Sequence, residues 1–264
     1  MFLRWLLTTF PHEMRLGWAM LRPDLLLWLA FACLIVLATM SIPLSGDDPL
    51  PLVPFLIFAV TRLVTAMLPA ILFTAQLEGR QLSWGPVLLL MARRALPVLV
   101  YATIANVLAE LAERAMAASL GQALGPGAPS TVLATMAGVI IYVSVLVHFS
   151  FLPFLVILLD RPRLPPALWQ WNRLQAVAPV FWPLTASSRM TEGFRWRLAF
   201  YMLLGRVVPS AAMLVPPTVL LPALVLALLL LMTVQAVFFL HYRTRCEETG
   251  VPAPALPLEP ALAI

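Results

Sequence analysis

The chain consists mainly of long apolar runs separated by short clusters of charged, proline and glycine residues. A helix of about twenty apolar residues crosses about 30 Å of hydrocarbon. Cutting the runs at charges and at Pro/Gly clusters gives six segments near that length. The predicted spans are residues 25–44, 52–76, 95–113, 131–158, 198–215 and 219–242. The pattern therefore predicts an all-α polytopic membrane bundle of six transmembrane helices.

The division between the fifth and sixth spans depends on proline. The segment from Leu198 to Tyr242 is almost unbroken, but Pro216, Pro217 and Pro222 lie close together within it. Proline removes a backbone donor and clashes with the preceding turn, so such a group favours a turn over a helix interior. We therefore expect a hairpin at these prolines.

Arginine placement tests the count of spans independently of hydropathy. All seventeen cationic side chains are arginine. With the N-terminus in the cytoplasm, only Arg114 falls in an outside connection, and Arg62 and Arg206 fall within spans. Every other arginine falls in an inside segment, as the positive-inside rule requires. The distribution predicts that both termini are cytoplasmic.

Composition excludes a water-soluble globule. The chain is 62% hydrophobic and 11% charged, with a mean hydropathy of +0.94. In soluble proteins about half of the residues are apolar and about a quarter are charged. The net charge of +5 is typical of some nucleic-acid binders, but here the charges lie at the ends of apolar segments. Cys33 and Cys246 match no disulfide or metal spacing. We expect no nucleic-acid partner, no cofactor and no metal.

The same pattern divides the chain into three parts. Residues 1–23 are predicted to be an N-terminal interfacial segment, and Trp5 and Trp18 within it and Trp28 just after it are expected at headgroup depth. Residues 24–242 form the six-span membrane domain, in which the connection Ala115–Ser130 is expected to be a flexible outer loop. Residues 243–264 are proline-rich and are expected to be a disordered cytoplasmic tail.

The cytoplasmic loop 160–197 is rich in arginine and tryptophan. Within it, Pro166–Ala178 is predicted to form a short helix in the interface. Three interpretations stay open: a belt that fixes the depth of the protein, a docking surface for anionic lipid headgroups or a protein partner, and, as the least favoured, a surface for single-stranded nucleic acid. For the chain as a whole, the expected partners are membrane lipids and either a membrane protein or a second copy of the chain. The candidate contact residues are Arg161, Arg163, Trp169, Trp171, Arg173, Arg189, Arg195, Trp196 and Arg197.

The end of this loop carries a short motif, Ser187-x-x-Met190-Thr191-x-Gly193-x-Arg195-Trp196-Arg197, followed at once by an apolar span. It resembles the Ser-x-x-Leu-Thr-x-Gly-x-x-Trp-Arg start of the fifth helix in a family of bacterial six-span proteins. These are the glycerophosphoryl diester phosphodiesterase membrane domain and its YciC-like relatives. The resemblance covers mainly residues 140–250, and the connection from Asp160 to Ser187 is longer than in the family pattern. It implies a membrane module with no active site, because in the phosphodiesterases hydrolysis belongs to a separate soluble barrel.

Among the polar residues within the predicted spans, one group of five includes several at similar depths. A lone charge in the bilayer centre costs about 2.5–3.5 kcal/mol on insertion scales, so Arg62 should face the bundle interior, water or a partner such as Glu110. The group forms either a structural interhelical cluster or a polar pocket or path for an anion, a lipid headgroup or a proton. The candidate residues are Arg62, Asn106, Glu110, His148 and Arg206.

The sequence contains no GxSxG or HExxH motif, and Ser144 and His148 have no identifiable third catalytic group. We therefore predict no enzyme activity, and a function as an accessory, assembly or lipid-associated membrane subunit. The alternative is a small transporter or channel built around Arg62 and Arg206. A third class, an intramembrane enzyme, would require lipid turnover that depends on His148 or Glu110.

Overall fold

The structure is a computed structural model, and it describes residues 2–40, 52–80, 83–125, 127–158, 178–212, 216–251 and 256. Every regular element in these ranges is helical, which confirms the all-α prediction for this part of the chain. The helices in chain order are α1 (Phe2–Leu21), α2 (Leu25–Met40), α3 (Leu52–Glu78), α4 (Trp84–Leu124), α5 (Ala128–His148), α6 (Leu152–Leu158), α7 (Ala178–Met190), α8 (Arg195–Ala212) and α9 (Pro217–Thr249). A short 3-10 turn, Arg22–Asp24, joins α1 to α2.

Four helical runs in the described ranges are long and apolar enough to cross a membrane. They are Leu3–Val36, Trp84–Leu124, Pro129–Leu158 and Val219–Thr249. Their lengths of 30 to 41 residues exceed the roughly twenty that a bilayer requires. Within α3, Leu63–Glu78 forms a shorter apolar helix. These runs contain the predicted third, fourth and sixth spans and part of the first.

The division predicted from proline is present. α8 ends at Ala212, and Pro216 caps the start of α9 with a φ of −53°. Pro217 occupies the first helical position, where a backbone N–H would have no intrahelical acceptor, so proline is tolerated there. Pro222, however, lies inside α9, so two of the three prolines lie at the start of the helix and the third lies within its first two turns.

The connection expected to be a flexible outer loop is mostly helical. α4 continues through the alanine-rich stretch Ala115–Leu124, and α5 begins at Ala128. Alanine has the highest helix propensity, which favours this continuation. Gly125, with a φ of +73°, ends α4. Gly138 of α5 lets the two helices approach closely, since a Cβ there would lie 3.3 Å from the Glu113 carbonyl oxygen.

α9 also extends past its predicted end. The helix continues from Tyr242 to Thr249, where the sequence predicted an irregular tail, and Gly250 ends it with a φ of +67°. Cys246 is fully buried, and Leu256 donates its N–H to Glu78 Oε1 at 3.0 Å. Burial of one face explains why these residues are ordered as helix despite their charge.

Aromatic rings connect the helices in the core. Trp28 lies 5.4 Å from Phe73, Phe73 lies 5.8 Å from Phe239, and Phe154 lies 5.4 Å from Tyr242 between ring centroids. Trp5 and Trp28, which were expected at headgroup depth, have exposed fractions of only 4% and 0%. Their indoles pack against other aromatic rings, Trp5 against Trp196 and Trp28 against Phe73. Trp18 is exposed.

α1 packs against α9, and Gly17 sets their closest approach. A Cβ at Gly17 would lie 2.7 Å from the Thr233 carbonyl oxygen and 2.9 Å from Val237 Cγ2. Real Cβ atoms do not come so close to a backbone oxygen, so only glycine allows this contact. The N-terminal helix is therefore an integral part of the bundle.

Candidate functional site at the Glu13 junction

The motif that precedes α8 forms a compact turn. Ser187 is buried, and its Oγ accepts the N–H of Phe151 at 3.2 Å, which ties α7 to the start of α6. Thr191 donates its N–H to the Ser187 carbonyl oxygen at 3.0 Å and its hydroxyl to the Ser188 carbonyl oxygen at 2.8 Å. Gly193 adopts a φ of +87°, a backbone conformation that side chains disfavour. The motif therefore positions the first residues of α8.

Those residues contact their own chain. Arg195 donates from Nη2 to the Ser188 carbonyl oxygen at 3.1 Å, with Glu192 Oε1 3.4 Å away. The Trp196 ring meets Trp5 edge-on, with centroids 4.7 Å apart. Arg195 and Trp196 were predicted to contact headgroups or a partner, and in the structure both keep part of their surface exposed while making these internal contacts.

Four residues from α1, α8 and α9 meet around one carboxylate, and we call this set the Glu13 junction: Glu13, Arg197, Tyr201 and His241. Arg197 Nη1 donates to Glu13 Oε1 at 3.2 Å, and the Tyr201 hydroxyl donates to Glu13 Oε2 at 2.5 Å. His241 Nε2 lies 3.6 Å from Glu13 Oε2, within ion-pair range but beyond a hydrogen bond. One carboxylate thus connects three helices that are far apart in the sequence.

The junction is largely shielded from solvent. The side chains of Glu13 and His241 are 11% and 10% exposed, and that of Arg197 is 27% exposed. A buried carboxylate is stable only when it is paired and hydrogen-bonded, and the guanidinium and the phenol supply both requirements. Phe194 covers His241, with ring centroids 4.8 Å apart.

Arg197 is held on more than one side. Its Cζ lies 5.4 Å from the Trp196 ring centroid and 5.8 Å from that of Phe194, within the range of cation–π attraction. A cation fixed by an acid and two rings holds the start of α8 against α1. The chemistry of the arrangement is that of a structural clamp that joins the N-terminal helix to the end of α9.

Sequence reasoning identified Arg197 but missed Glu13, Tyr201 and His241 as its companions. One signal was available: Arg197 and Tyr201 are four residues apart, so both lie on one face of a helix. The acid that pairs with them is 184 positions away along the chain, and nothing in a single sequence links the two.

The predicted intramembrane cluster is divided among local contacts in the part the structure describes. The Tyr142 hydroxyl lies 3.4 Å from Asn106 Oδ1 across the α4–α5 interface. Glu110 pairs with Arg114 at 3.6 Å along its own helix. His148 donates from Nδ1 to the Ser144 carbonyl oxygen of its own helix at 2.7 Å.

The remaining candidates have less structural description. Arg62 lies in α3 and Arg206 in α8, and their side chains are outside the described part. Arg189 lies in the last turn of α7 and is half-buried. The predicted interfacial helix Pro166–Ala178 falls outside the described residues, apart from Ala178 at the start of α7. Five of the predicted headgroup or partner contacts also lie outside the described residues: Arg161, Arg163, Trp169, Trp171 and Arg173.

Comparisons with known proteins add no family to this picture: no protein-family model, curated protein or solved structure matches the chain. The described residues include no group of three or more His, Cys, Asp or Glu side chains placed to hold a metal ion.

Proposed function

We propose that this chain is a six-span bacterial inner-membrane protein with cytoplasmic termini, which acts as an accessory, assembly or lipid-associated subunit without chemistry of its own. The observation that carries the proposal is the apolar surface of the α4–α5 hairpin. Leu88, Leu96 and Leu111 of α4 and Val132 and Ile140 of α5 are each more than half exposed. Soluble monomers rarely expose so continuous an apolar surface to water. In a membrane, lipid or a partner protein would cover it.

Charge placement on α4 supports one crossing within this long helix. Arg94 and Glu110 bracket an uncharged stretch that is about 24 Å long at 1.5 Å per residue. Arg93 and Arg94 precede it, and Glu113 and Arg114 follow it. Flanking side chains of this length can extend to the interfaces on either side of the hydrocarbon.

Two further helices support the count of six. α3 contains 27 residues and α8 contains 18, which correspond to about 40 Å and 27 Å. With the four longer runs they give six crossings, and an even number agrees with the concentration of arginines on one side.

The contacts of the polar groups support a noncatalytic role. Arg195 and Arg197, at the proposed cytoplasmic end, bond within the chain, and Glu110 and His148 bond to their own helices. These groups stabilise the fold. The resemblance of the Ser187–Arg197 motif to a membrane module has the same implication. The carboxylate of Glu13 fixes α1 in the bundle, so the N-terminal segment serves as part of the membrane-facing scaffold.

The experiment is gentle detergent extraction of the tagged full chain from bacterial membranes, followed by quantitative mass spectrometry of copurifying proteins and lipids. A protein companion at a fixed ratio, or a lipid retained at a fixed ratio, supports the proposal. A bound small solute with neither of these contradicts it and favours transport.

A pair of substitutions distinguishes the transport alternative. Replacing Arg62 and Arg206 by leucine should leave an accessory subunit inserted and bound to its companion. A transporter with these substitutions would remain inserted but lose solute flux in reconstituted vesicles.

A further inference from the structure

A groove of about 420 Å³ runs between α1 and α9, next to the Gly17 contact. Its walls include Met14, Arg15 and Trp18 from α1. The facing wall of α9 contributes Leu226, Leu229 and Leu230. Ligand sites in proteins commonly enclose about 300–1,000 Å³ and are mainly apolar with a few polar groups. This groove has a volume in that range but is largely open, with one cation among apolar side chains.

The groove is preformed because its two helices are fixed on one side. The absence of a side chain at Gly17 lets α1 approach Thr233 and Val237 closely, and Glu13 of the Glu13 junction lies one helical turn before Gly17. The Thr233 hydroxyl, which borders the groove, donates to the Leu229 carbonyl oxygen of its own helix at 2.9 Å. It therefore offers no donor to a ligand, and the groove floor is effectively apolar.

Arg15 is the charged group of this groove. It is exposed, and within the part of the chain that the structure describes it makes no hydrogen bond or ion pair. Arg197, Arg243 and Arg245 each have a glutamate partner. No carboxylate is present among the described residues that line the groove, and the nearby Glu13 faces Arg197 and Tyr201.

We infer that this groove binds one anionic phospholipid, with its phosphate at Arg15 and an acyl chain along Leu226, Leu229 and Leu230. This inference deepens the proposed function and rests on its membrane location. A guanidinium binds phosphate through paired charge-assisted hydrogen bonds. Because the groove has a cation and no acid, a zwitterionic headgroup would place its own cation near Arg15 without a counter-charge.

The test uses the full chain in mild detergent with equal amounts of phosphatidylglycerol and phosphatidylcholine carrying the same acyl chains. Native mass spectrometry measures how much of each lipid the protein retains. We expect the wild type to retain one phosphatidylglycerol preferentially. Arg15→Gln should reduce that preference roughly tenfold, as expected for the loss of a hydrogen bond to a charged group.

Two variants separate the groove from general surface charge. Arg22→Gln removes an exposed arginine from the turn after α1 and should leave the preference unchanged. Leu230→Trp fills the apolar part and should reduce retention of both lipids. Retention by Arg15→Gln equal to that of the wild type, or an equal loss in Arg22→Gln, would overturn the inference.

Extraction of membranes with alkaline carbonate separates this inference from the proposed function. The wild type and Arg15→Gln, whose change is at an exposed position, should both stay in the membrane pellet. A wild type released into the supernatant would overturn both proposals. A wild type that stays in the pellet but shows no preference for phosphatidylglycerol would overturn the lipid site alone.

Discussion

Replacing Glu13 by glutamine tests the Glu13 junction most sharply. The substitution preserves the shape of the side chain but removes the negative charge that Arg197, Tyr201 and His241 surround. The phenol can still donate to the amide oxygen, whereas the guanidinium of Arg197 loses its counter-charge in a largely buried position.

The magnitude follows from the contacts. Two hydrogen bonds to a charged group contribute about 1.5–3 kcal/mol each, and breaking a buried ion pair costs about 3–5 kcal/mol. Arg197 is 27% exposed, so water compensates part of the loss. We therefore expect Glu13→Gln to lower the free energy of unfolding by about 2–4 kcal/mol.

The chain offers a matched control in Glu247→Gln. Glu247 lies 3.2 Å from Arg243, the same separation as Glu13 and Arg197, but its side chain is 61% exposed. Exposed pairs four residues apart on a helix contribute about 0.3–0.5 kcal/mol. Both variants replace a glutamate that lies 3.2 Å from an arginine, and they differ in how deeply that glutamate is buried.

The assay is reversible unfolding of the full chain in mixed micelles with an increasing fraction of a denaturing detergent, followed by circular dichroism. Tyr201→Phe and the double variant Glu13→Gln/Tyr201→Phe complete a cycle that isolates the phenol–carboxylate coupling. Equal destabilisation by Glu13→Gln and Glu247→Gln, or no coupling between Glu13 and Tyr201, would refute the assignment of a buried clamp.

The remaining predictions concern packing and use the same unfolding assay. Gly17→Ala should lower the free energy of unfolding by about 1–3 kcal/mol because the added Cβ meets the Thr233 backbone and overpacks the contact. Gly205→Ala should change stability much less, because the nearest neighbour of its added Cβ is the movable Leu231 Cδ1 at 3.2 Å. Equal effects of the two substitutions would contradict the close α1–α9 approach. Trp5→Ala should cost about 3–5 kcal/mol as a large core truncation, and a loss below about 1 kcal/mol would contradict the tight packing of Trp5 among the neighbouring rings. Ser187→Ala should cost about 1–3 kcal/mol by leaving the Phe151 N–H unpaired, whereas the exposed Ser119→Ala should be nearly neutral, and the opposite order would contradict the Ser187 contact.

The sequence predicted the helices well where local composition controls them. Apolar length identified the long runs, and Pro216 and Pro217 located the end of one helix and the start of the next, since a missing N–H acts locally. Helix ends were less predictable: Ala115–Leu124 is helical because alanine favours the helix after the apolar stretch ends.

Side-chain positions depended on tertiary contacts. The preference of tryptophan for interfaces is a tendency of the residue type, so it could not show that Trp5 and Trp28 find aromatic partners in the core. In the same way, Arg197 was identified by its charge, while its partner Glu13 was hidden by distance along the chain.

The central claim is that the chain crosses the bilayer six times with both ends in the cytoplasm. Reporter fusions at Asp47, Gly125 and Gln170 test it directly, because these positions fall in the first outer connection, the second outer connection and the long inner loop. We expect a periplasmic signal at Asp47 and Gly125 and a cytoplasmic signal at Gln170. A cytoplasmic signal at either of the first two, or a periplasmic signal at the third, would contradict it.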